Sequence, residues 1–324
     1  ALRKRHKYKE GERRLSLDDI VYDLLQNQPP EADDVETTSG QVVWVGKKQC
    51  HIRVAGVDLE VDLAGHKPAV GDYADAGKKS EESPWQMTSI RERTNLLSRP
   101  DVDNPHLQRV IVANIDQIFI VVSVVSPPLH PRLIDRYLIA IQKGGARPII
   151  VVNKIDLAVD ESHVELLAPY ASLGVPILTA STFDESIGVE RVRPFIEGRT
   201  SAFVGHSGVG KSSLCNALFP GLDLDTGTTM RGYGRGAHTT TASSLFEFEG
   251  GTKLIDTPGI RSFGLWKLKA EELEDYFPEF EGAECKFRDC RHLAEPGCGV
   301  KARVETGEIH PYRYETYVRL LNDL

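Results

Sequence analysis

The stretch VVNKIDL, Val151–Leu157, decides how the rest of the chain is read. It closes the apolar run RPIIVV (147–152) with Asn153-Lys154-Ile155-Asp156, an N-K-x-D pattern. The Asp156 carboxylate can accept from the N1–H and the exocyclic amine of guanine, a pair of donors that adenine lacks. Asn153 can bond the base and tie its loop to a phosphate loop, and the Lys154 stem can cover the purine face. The position is also right, because ligands of open α/β sheets bind beyond the carboxyl ends of the strands. Yet the phosphate-binding signature GHSGVGKSS begins only at Gly205, downstream, whereas the familiar G-protein order puts it first. Either one motif is accidental or the domain is wired in another order.

The downstream motif fits G-x-x-x-x-G-K-[ST] over Gly205, His206, Ser207, Gly208, Val209, Gly210, Lys211 and Ser212, with Ser213 following. It follows the apolar strand SAFV (201–204) and opens a helix in which Leu214, Ala217 and Leu218 share a face. Its glycines let backbone N–H groups close around phosphates, and the helix N-terminus adds a favourable dipole. Lys211 is expected at the β/γ-phosphates and Ser212 on Mg²⁺.

Further parts complete the set. Asp256-Thr-Pro-Gly259 ends the strand TKLI (252–255), with Asp256 placed to hold Mg²⁺ through water and the Gly259 amide to sense a γ-phosphate. Thr179-Ala180-Ser181 ends the strand VPIL (175–178), where a backbone amide of Ala180 or Ser181 could reach guanine O6. Between phosphate loop and DTPG lies RGYGRGAHTTT (231–241), suited to a switch loop whose threonine completes Mg²⁺ coordination. The order is base reader, second base loop, phosphate loop, switch I, switch II: a circular permutation that keeps every part.

The chain's 324 residues, 40% hydrophobic and 27% charged, allow more than one domain. A net charge of −8 argues against wholesale coating of nucleic acid. Residues 1–14 differ, with Arg3, Lys4, Arg5, Lys7, Lys9, Arg13 and Arg14 against Glu10 and Glu12; this arm reads either as a solvated tail or as a phosphate-neutralising element. No run approaches the roughly 18 apolar residues of a membrane span, and no apolar segment backs the basic N-terminus as a secretory signal would require. The expected setting is cytoplasmic and reducing, without membrane contact.

Four segments are expected: a basic arm and linker over 1–40, a small β-barrel over 41–98, the permuted nucleotide domain over 99–270 and a metal-binding helical domain over 271–324. In the barrel Cys50, Ile52 and Val54 alternate with polar residues, as do Val57, Leu59, Val61 and Leu63, with Gly46, Gly56, Gly65 and Gly71 at turns. Strand pattern alone does not separate an OB-like from an SH3-like barrel. The apolar runs after Pro100 read as parallel strands buried on both faces, and PRLIDRYLIAIQKGG (131–145) as a helix that Gly144 stops. Cys285, Cys290, His292 and Cys298 offer three thiolates and one imidazole, a closed tetrahedral set that suits one structural Zn²⁺. Cys50 and Cys215 read as packed thiols.

This order, with a barrel before it and a cysteine cluster after it, resembles the ribosome small-subunit-dependent GTPase A family of bacteria. VVNKIDL, GHSGVGKSSLCNAL, GRGAHTTT, LIDTPGIRSFGL, YFPEF and CKFRDCRHLAEPGCGVKARVETGEI carry the resemblance. It implies an OB-fold, a permuted GTPase domain, a zinc-binding helical domain and GTP hydrolysis stimulated by the 30S subunit during its late assembly. GTP and GDP, 16S rRNA and the 30S particle are the implied partners, and the protein is expected to be a monomer. Where Ras-like GTPases carry a water-positioning glutamine, this chain has Ile260. The resemblance points instead to His238, whose alternative is a loop histidine without a chemical role, and to Thr240, with Thr239 beside it, for Mg²⁺. In relatives the barrel has a basic loop, whereas VDLEVDLAGHK (57–67) is acidic up to His66 and Lys67, which puts rRNA contact by that edge in question. A small-molecule P-loop kinase and a non-catalytic RNA-binding scaffold are the competing functions; NKID and DTPG argue against the first, and turnover separates the second.

Overall fold

The structure is a computed structural model; it describes residues 36–101, 104, 106–184, 186–219, 221–224, 243–256, 265 and 267–324. The basic arm, the switch loop with His238, Thr239 and Thr240, and Gly259 lie outside the described residues.

Strands β1 (Glu36–Val45), β2 (Gln49–Val54), β3 (Val57–Asp62), β4 (Tyr73–Lys78) and β5 (Gln86–Ile90) come first. Their pairing returns on itself: β1 to β2, β2 to β3, β3 in parallel to β5, β5 to β4, and β4 back to β1. Period-two alternation turns Val42, Cys50, Ile52, Val61, Ala74, Ala76 and Met87 into one buried cluster. Val57, expected to share that face, is exposed because it opens β3 beside the Ala55–Gly56 turn. The acidity of β3 is partly answered across the pair: Arg53 donates Nε and Nη2 to Asp58 at 2.6 and 2.8 Å, and Gln49 donates to Glu60 at 2.9 Å.

A hairpin of β6 (Leu96–Pro100) and β7 (Gln108–Ala113) follows, so the change of character after Arg99-Pro100 falls within a strand pair rather than at a break. Pro100 is tolerated at the strand's end, where no ladder donor is needed. Gly71 (φ +94) packs the preceding loop onto β7, since a Cβ there would lie 2.1 Å from the Ala113 carbonyl oxygen.

The nucleotide-type domain contains β8 (Gln117–Ser123), β9 (Arg147–Asn153), β10 (Ile177–Thr179), β11 (Thr200–Val204), β12 (Ser244–Glu247) and β13 (Lys253–Asp256). They run in the order β10-β9-β8-β11-β13-β12, parallel except for β12. As the continuous apolar runs imply, β8 is buried at every residue. Helices α1 (Pro131–Gly144), α2 (Ser162–Ser172), the short α3 (Arg193–Ile196) and α4 (Lys211–Leu218) link the strands. The stop of α1 is Gly145, at φ 82, one residue after the expected Gly144. Gly144 is small for another reason: a Cβ there would lie 2.3 Å from the Leu96 carbonyl oxygen of β6.

Beyond residue 265 come two 3₁₀ turns (Glu274–Tyr276 and Pro278–Phe280), α5 (Gly299–Glu305) and α6 (Pro311–Asp323). Leu273, Phe277, Phe280, Val300, Tyr317 and Leu321 form their core, which Ile139 of α1 joins. Arg313 of α6 is 2% exposed and reaches across to Asp135 of α1 at 2.5 Å, while its other nitrogens grip Glu279 at 2.6 and 3.1 Å. Tyr170 donates to the same Asp135 oxygen at 2.8 Å. Replacing Arg313 by Met leaves the buried Asp135 without a counter-charge and is expected to cost about 3–5 kcal/mol. The check is the urea midpoint at constant slope; a change below about 1 kcal/mol, the scale of a surface pair, contradicts the buried role.

Candidate functional site

The permuted motifs meet at one edge of the sheet. β9 ends at Asn153, β11 runs into the phosphate loop and β13 ends at Asp256, with β8 between the first two. Asn153 is 1% exposed, and its Nδ2 donates to the Val209 carbonyl at 2.9 Å, tying base reader to phosphate loop. Lys154 (φ 59) turns away from the strand and donates Nζ to the carbonyls of Gly208 and Ser126, both at 2.7 Å. Oδ1 of Asn153 and Oδ1 of Asp156 are buried without a hydrogen-bond partner. Leaving a buried acceptor unpaired costs about 1–3 kcal/mol, so these two oxygens define where a ligand must bring donors.

The second base loop lies against this turn: Ile155 donates to the Ala180 carbonyl at 3.3 Å. The Ala180 amide donates to the Val152 carbonyl at 2.9 Å and the Ser181 amide to the Gly188 carbonyl at 3.0 Å. Any bond from either to guanine O6 is therefore shared with one inside the protein. Ser181 is 2% exposed, and its Oγ accepts from the Phe183 and Asp184 amides at 3.1 and 2.9 Å, which fixes the loop.

Each phosphate-loop glycine has a local cause. Gly205, Gly208 and Gly210 adopt φ of 147, 85 and 91, values that favour glycine. A Cβ on Gly205 would lie 2.2 Å from the Val121 oxygen of β8, and one on Gly210 would lie 2.4 Å from Asn153 Nδ2. The reader and the loop are thus fitted so closely that glycine alone allows the contact. Val209 is buried beneath the loop. Lys211 folds onto the loop, donating Nζ to the Gly205 and His206 carbonyls at 2.9 Å each. Ser212 and Ser213 occupy the first turn of α4, and His206 is exposed at the tip beside Ser207. Burial drives the Cys215 thiol of α4 far above its ordinary value, the negative charge of Asp256 adds to this, and Lys211 opposes it. Asp256 and Lys211 therefore act on the same turn of helix.

The C-terminal cluster gathers as its spacing implies. Cys285, Cys290, His292 and Cys298 place one donor atom each within 4.8 Å of one another. His292 Nδ1 lies 3.5 Å from Cys285 Sγ and 3.4 Å from Cys298 Sγ. Tetrahedral zinc, with bonds of about 2.3 Å to sulfur and about 2.0 Å to nitrogen, separates such donors by about 3.5–3.8 Å, so the residues fit the ion. Burial pushes the Cys285 thiol up, but the amides of Gly299 and Val300 outweigh it and hold the pKa below its ordinary value. Burial and the neighbouring Cys298 and Cys285 push Cys290 up to about 12, with the His292 backbone amide opposing them. His292 Nε2 faces Glu274 Oε1 at 3.3 Å. Nothing in the sequence pattern singles out Glu274, nor Ser126, whose contribution is a backbone carbonyl. All five cysteines are free, and Cys50 and Cys215 are buried as expected.

A largely parallel sheet with a glycine phosphate loop and an N-K-x-D reader at strand ends on either side of β8 defines a P-loop GTPase, here in permuted order. A sequence profile described as RsgA GTPase matches residues 90–266. A protein of Gemmatimonas aurantiaca, "Small ribosomal subunit biogenesis GTPase RsgA", is 40% identical over 261 residues, spanning 80% of this chain and 85% of the relative. One of the same name from Geobacillus is 42% identical over 262 residues, spanning 79% and 85%. Among solved structures, YjeQ from Thermotoga maritima superposes with a TM-score of 0.69 at 33% identity, over 89% of this chain and 99% of that one. YloQ, described as a circularly permuted GTPase, gives 0.65 at 29% identity, over 90% and 96%. The chain belongs to the RsgA GTPase family, and its nucleotide domain has the circularly permuted GTPase fold.

Gly210→Ala is expected to displace Asn153 and weaken GDP binding about 10- to 100-fold, the scale of a lost hydrogen bond to a buried polar group. Titration calorimetry checks this, and affinity within about twofold of the parent contradicts the close fit. At the other site, purified protein is expected to carry about one zinc per chain, and Cys298→Ser to lose it with a lower melting temperature. Metal analysis showing full zinc in the variant would remove Cys298 from the ligand set.

Proposed function

We propose that this chain binds and hydrolyses GTP as an assembly factor of the small ribosomal subunit, with turnover stimulated by the 30S particle. The observation that carries the nucleotide half is the buried, unpartnered Oδ1 of Asp156 beside the phosphate loop to which Asn153 is bonded. The N1–H and exocyclic amine of a guanine base supply donors for the Asp156 carboxylate. The ribosomal half rests on the names of relatives that match most of the chain.

The division of labour follows from residue chemistry. Asn153, Lys154 and Asp156 hold the base, with Ala180 and Ser181 walling it. The backbone of Gly205 to Ser213 wraps the phosphates, and Lys211 leaves its two loop carbonyls to meet the β/γ-phosphates. Ser212, Thr240 and, through water, Asp256 are hard oxygen donors of the kind Mg²⁺ takes. When bound, that ion neutralises charge developing on the phosphoryl oxygens. The Gly259 amide senses the γ-phosphate. His238 orients the attacking water in place of the glutamine that Ile260 replaces, an imidazole being able to accept from water near neutral pH.

Outside the nucleotide domain, the circuit β1-β2-β3-β5-β4-β1 supports an OB-fold over about residues 41–98. Zinc held by Cys285, Cys290, His292 and Cys298 would act structurally, since four protein ligands leave no open position. Contact with 16S rRNA falls to the positive charge of residues 1–14 more than to β3. Among the described residues no helix is long and apolar enough to cross a membrane; a cytoplasmic monomer is our reading.

The test is steady-state GTP turnover by the protein alone, with 30S and with 50S subunits. Stimulation of about a hundredfold or more by 30S alone, lost in His238→Ala, is expected, by analogy with the scale of general acid–base and water-orienting groups. Equal rates with both subunits would overturn the small-subunit assignment, and full stimulation of His238→Ala would remove His238 from the mechanism.

A further inference from the structure

We propose that Ser123–Pro127, the segment leaving the carboxyl end of β8, is a positioning element of the nucleotide pocket that holds Lys154 through the Ser126 carbonyl. The proposal rests on reading this pocket as a guanine-nucleotide site. Lys154 Nζ is fixed at both ends of a short span: the Gly208 carbonyl belongs to the phosphate loop, and the Ser126 carbonyl belongs to this segment. Ser126 sits at φ 47 and Lys154 at φ 59, so two non-glycine residues adopt left-handed backbone on either side of one hydrogen bond. Such conformations persist only where the surroundings impose them, and they concentrate where a group must be aimed.

The surroundings that impose the first are visible. Ser123 ends the fully buried β8, is 1% exposed, and donates Oγ to the Pro127 carbonyl at 2.7 Å. The segment thereby folds back over the strand end. Its far side meets the phosphate loop: a Cβ on Gly208 would lie 3.6 Å from Pro127 Cδ and 3.9 Å from the Ser126 oxygen. A lysine side chain free in solution samples many rotamers; two fixed acceptors select one before nucleotide arrives. Because the Lys154 stem covers a purine face without reading ring substituents, the segment governs affinity for purine nucleotides and leaves the preference for guanine over hypoxanthine to Asp156.

The Ser126 side chain is exposed, so substitutions there act through backbone preference. Glycine accepts φ 47 and valine, branched at Cβ, resists it. In GDP and IDP titrations of the full chain, Ser126→Gly is expected to stay within about twofold of the parent, whereas Ser126→Val weakens both nucleotides about tenfold. In a Lys154→Ala background, Ser126→Val is expected to add nothing, a readout that general loss of stability would not produce. Should Ser126→Val fail to fold, Ser123→Ala removes the hydroxyl holding the Pro127 carbonyl and runs the same cycle. Equal affinity of Ser126→Val and parent, or losses that add in the Lys154→Ala background, overturn the proposal alone. A parent protein that binds ADP as well as GDP overturns the nucleotide reading and this proposal with it.

Discussion

The contact between the Asn153 amide and the phosphate loop is what the nucleotide end of the molecule depends on. It requires glycine at position 210, because any Cβ would meet Nδ2 at 2.4 Å, and it consumes the Val209 carbonyl. Permutation breaks the chain elsewhere and leaves this contact intact. β8 stands between β9 and β11 in space, so the base reader and the phosphate loop lie on either side of one strand end whichever comes first in sequence. Strand order in the sheet, not order along the chain, makes the site.

A second constraint binds the C-terminal unit. Arg313 carries its charge into the interface between α1 and α6, where it donates to Asp135 and Glu279 and the Tyr170 hydroxyl donates to the same Asp135 oxygen. Burial pushes the Arg313 pKa down, but hydrogen bonds to Glu279 and the charge of Asp135 outweigh it and hold the guanidinium ionised. From α6, Tyr314 and Tyr317 donate to the carbonyls of His292 and Arg291, reaching the metal-type cluster itself. The cluster is thus anchored to α1 as well as through the chain that follows residue 265, and Leu265 packs against both cores. Any nucleotide-dependent movement of this unit has to work against α1.

Much of this was legible in the sequence because the decisive signals are local. The runs QIFIVV and RPIIVV can only be satisfied in the middle of a covered parallel sheet, and the glycine spacing of GHSGVGKSS has few other uses. The Cys-His spacing likewise places its donors within one short segment. What stayed hidden depends on contacts distant in sequence. Gly144 looks like a helix stop, and its real cause is a carbonyl of β6. Arg313 looks like one of many surface arginines on an amphipathic helix until Asp135, 178 residues away, is brought beneath it. Ser126 acts through its carbonyl, which no side-chain pattern can announce.

The most direct test of the permuted site is to measure GDP and XDP affinities for the parent and for Asp156→Asn. Guanine offers an amine at C2 where xanthine offers a carbonyl, and exchanging carboxylate for amide reverses the required donor. The parent is expected to prefer GDP, and the variant to lose about 10- to 100-fold for GDP while gaining affinity for XDP, with phosphate contacts unchanged. Undiminished GDP binding by Asp156→Asn would mean that the upstream motif does not read the base held by the downstream loop.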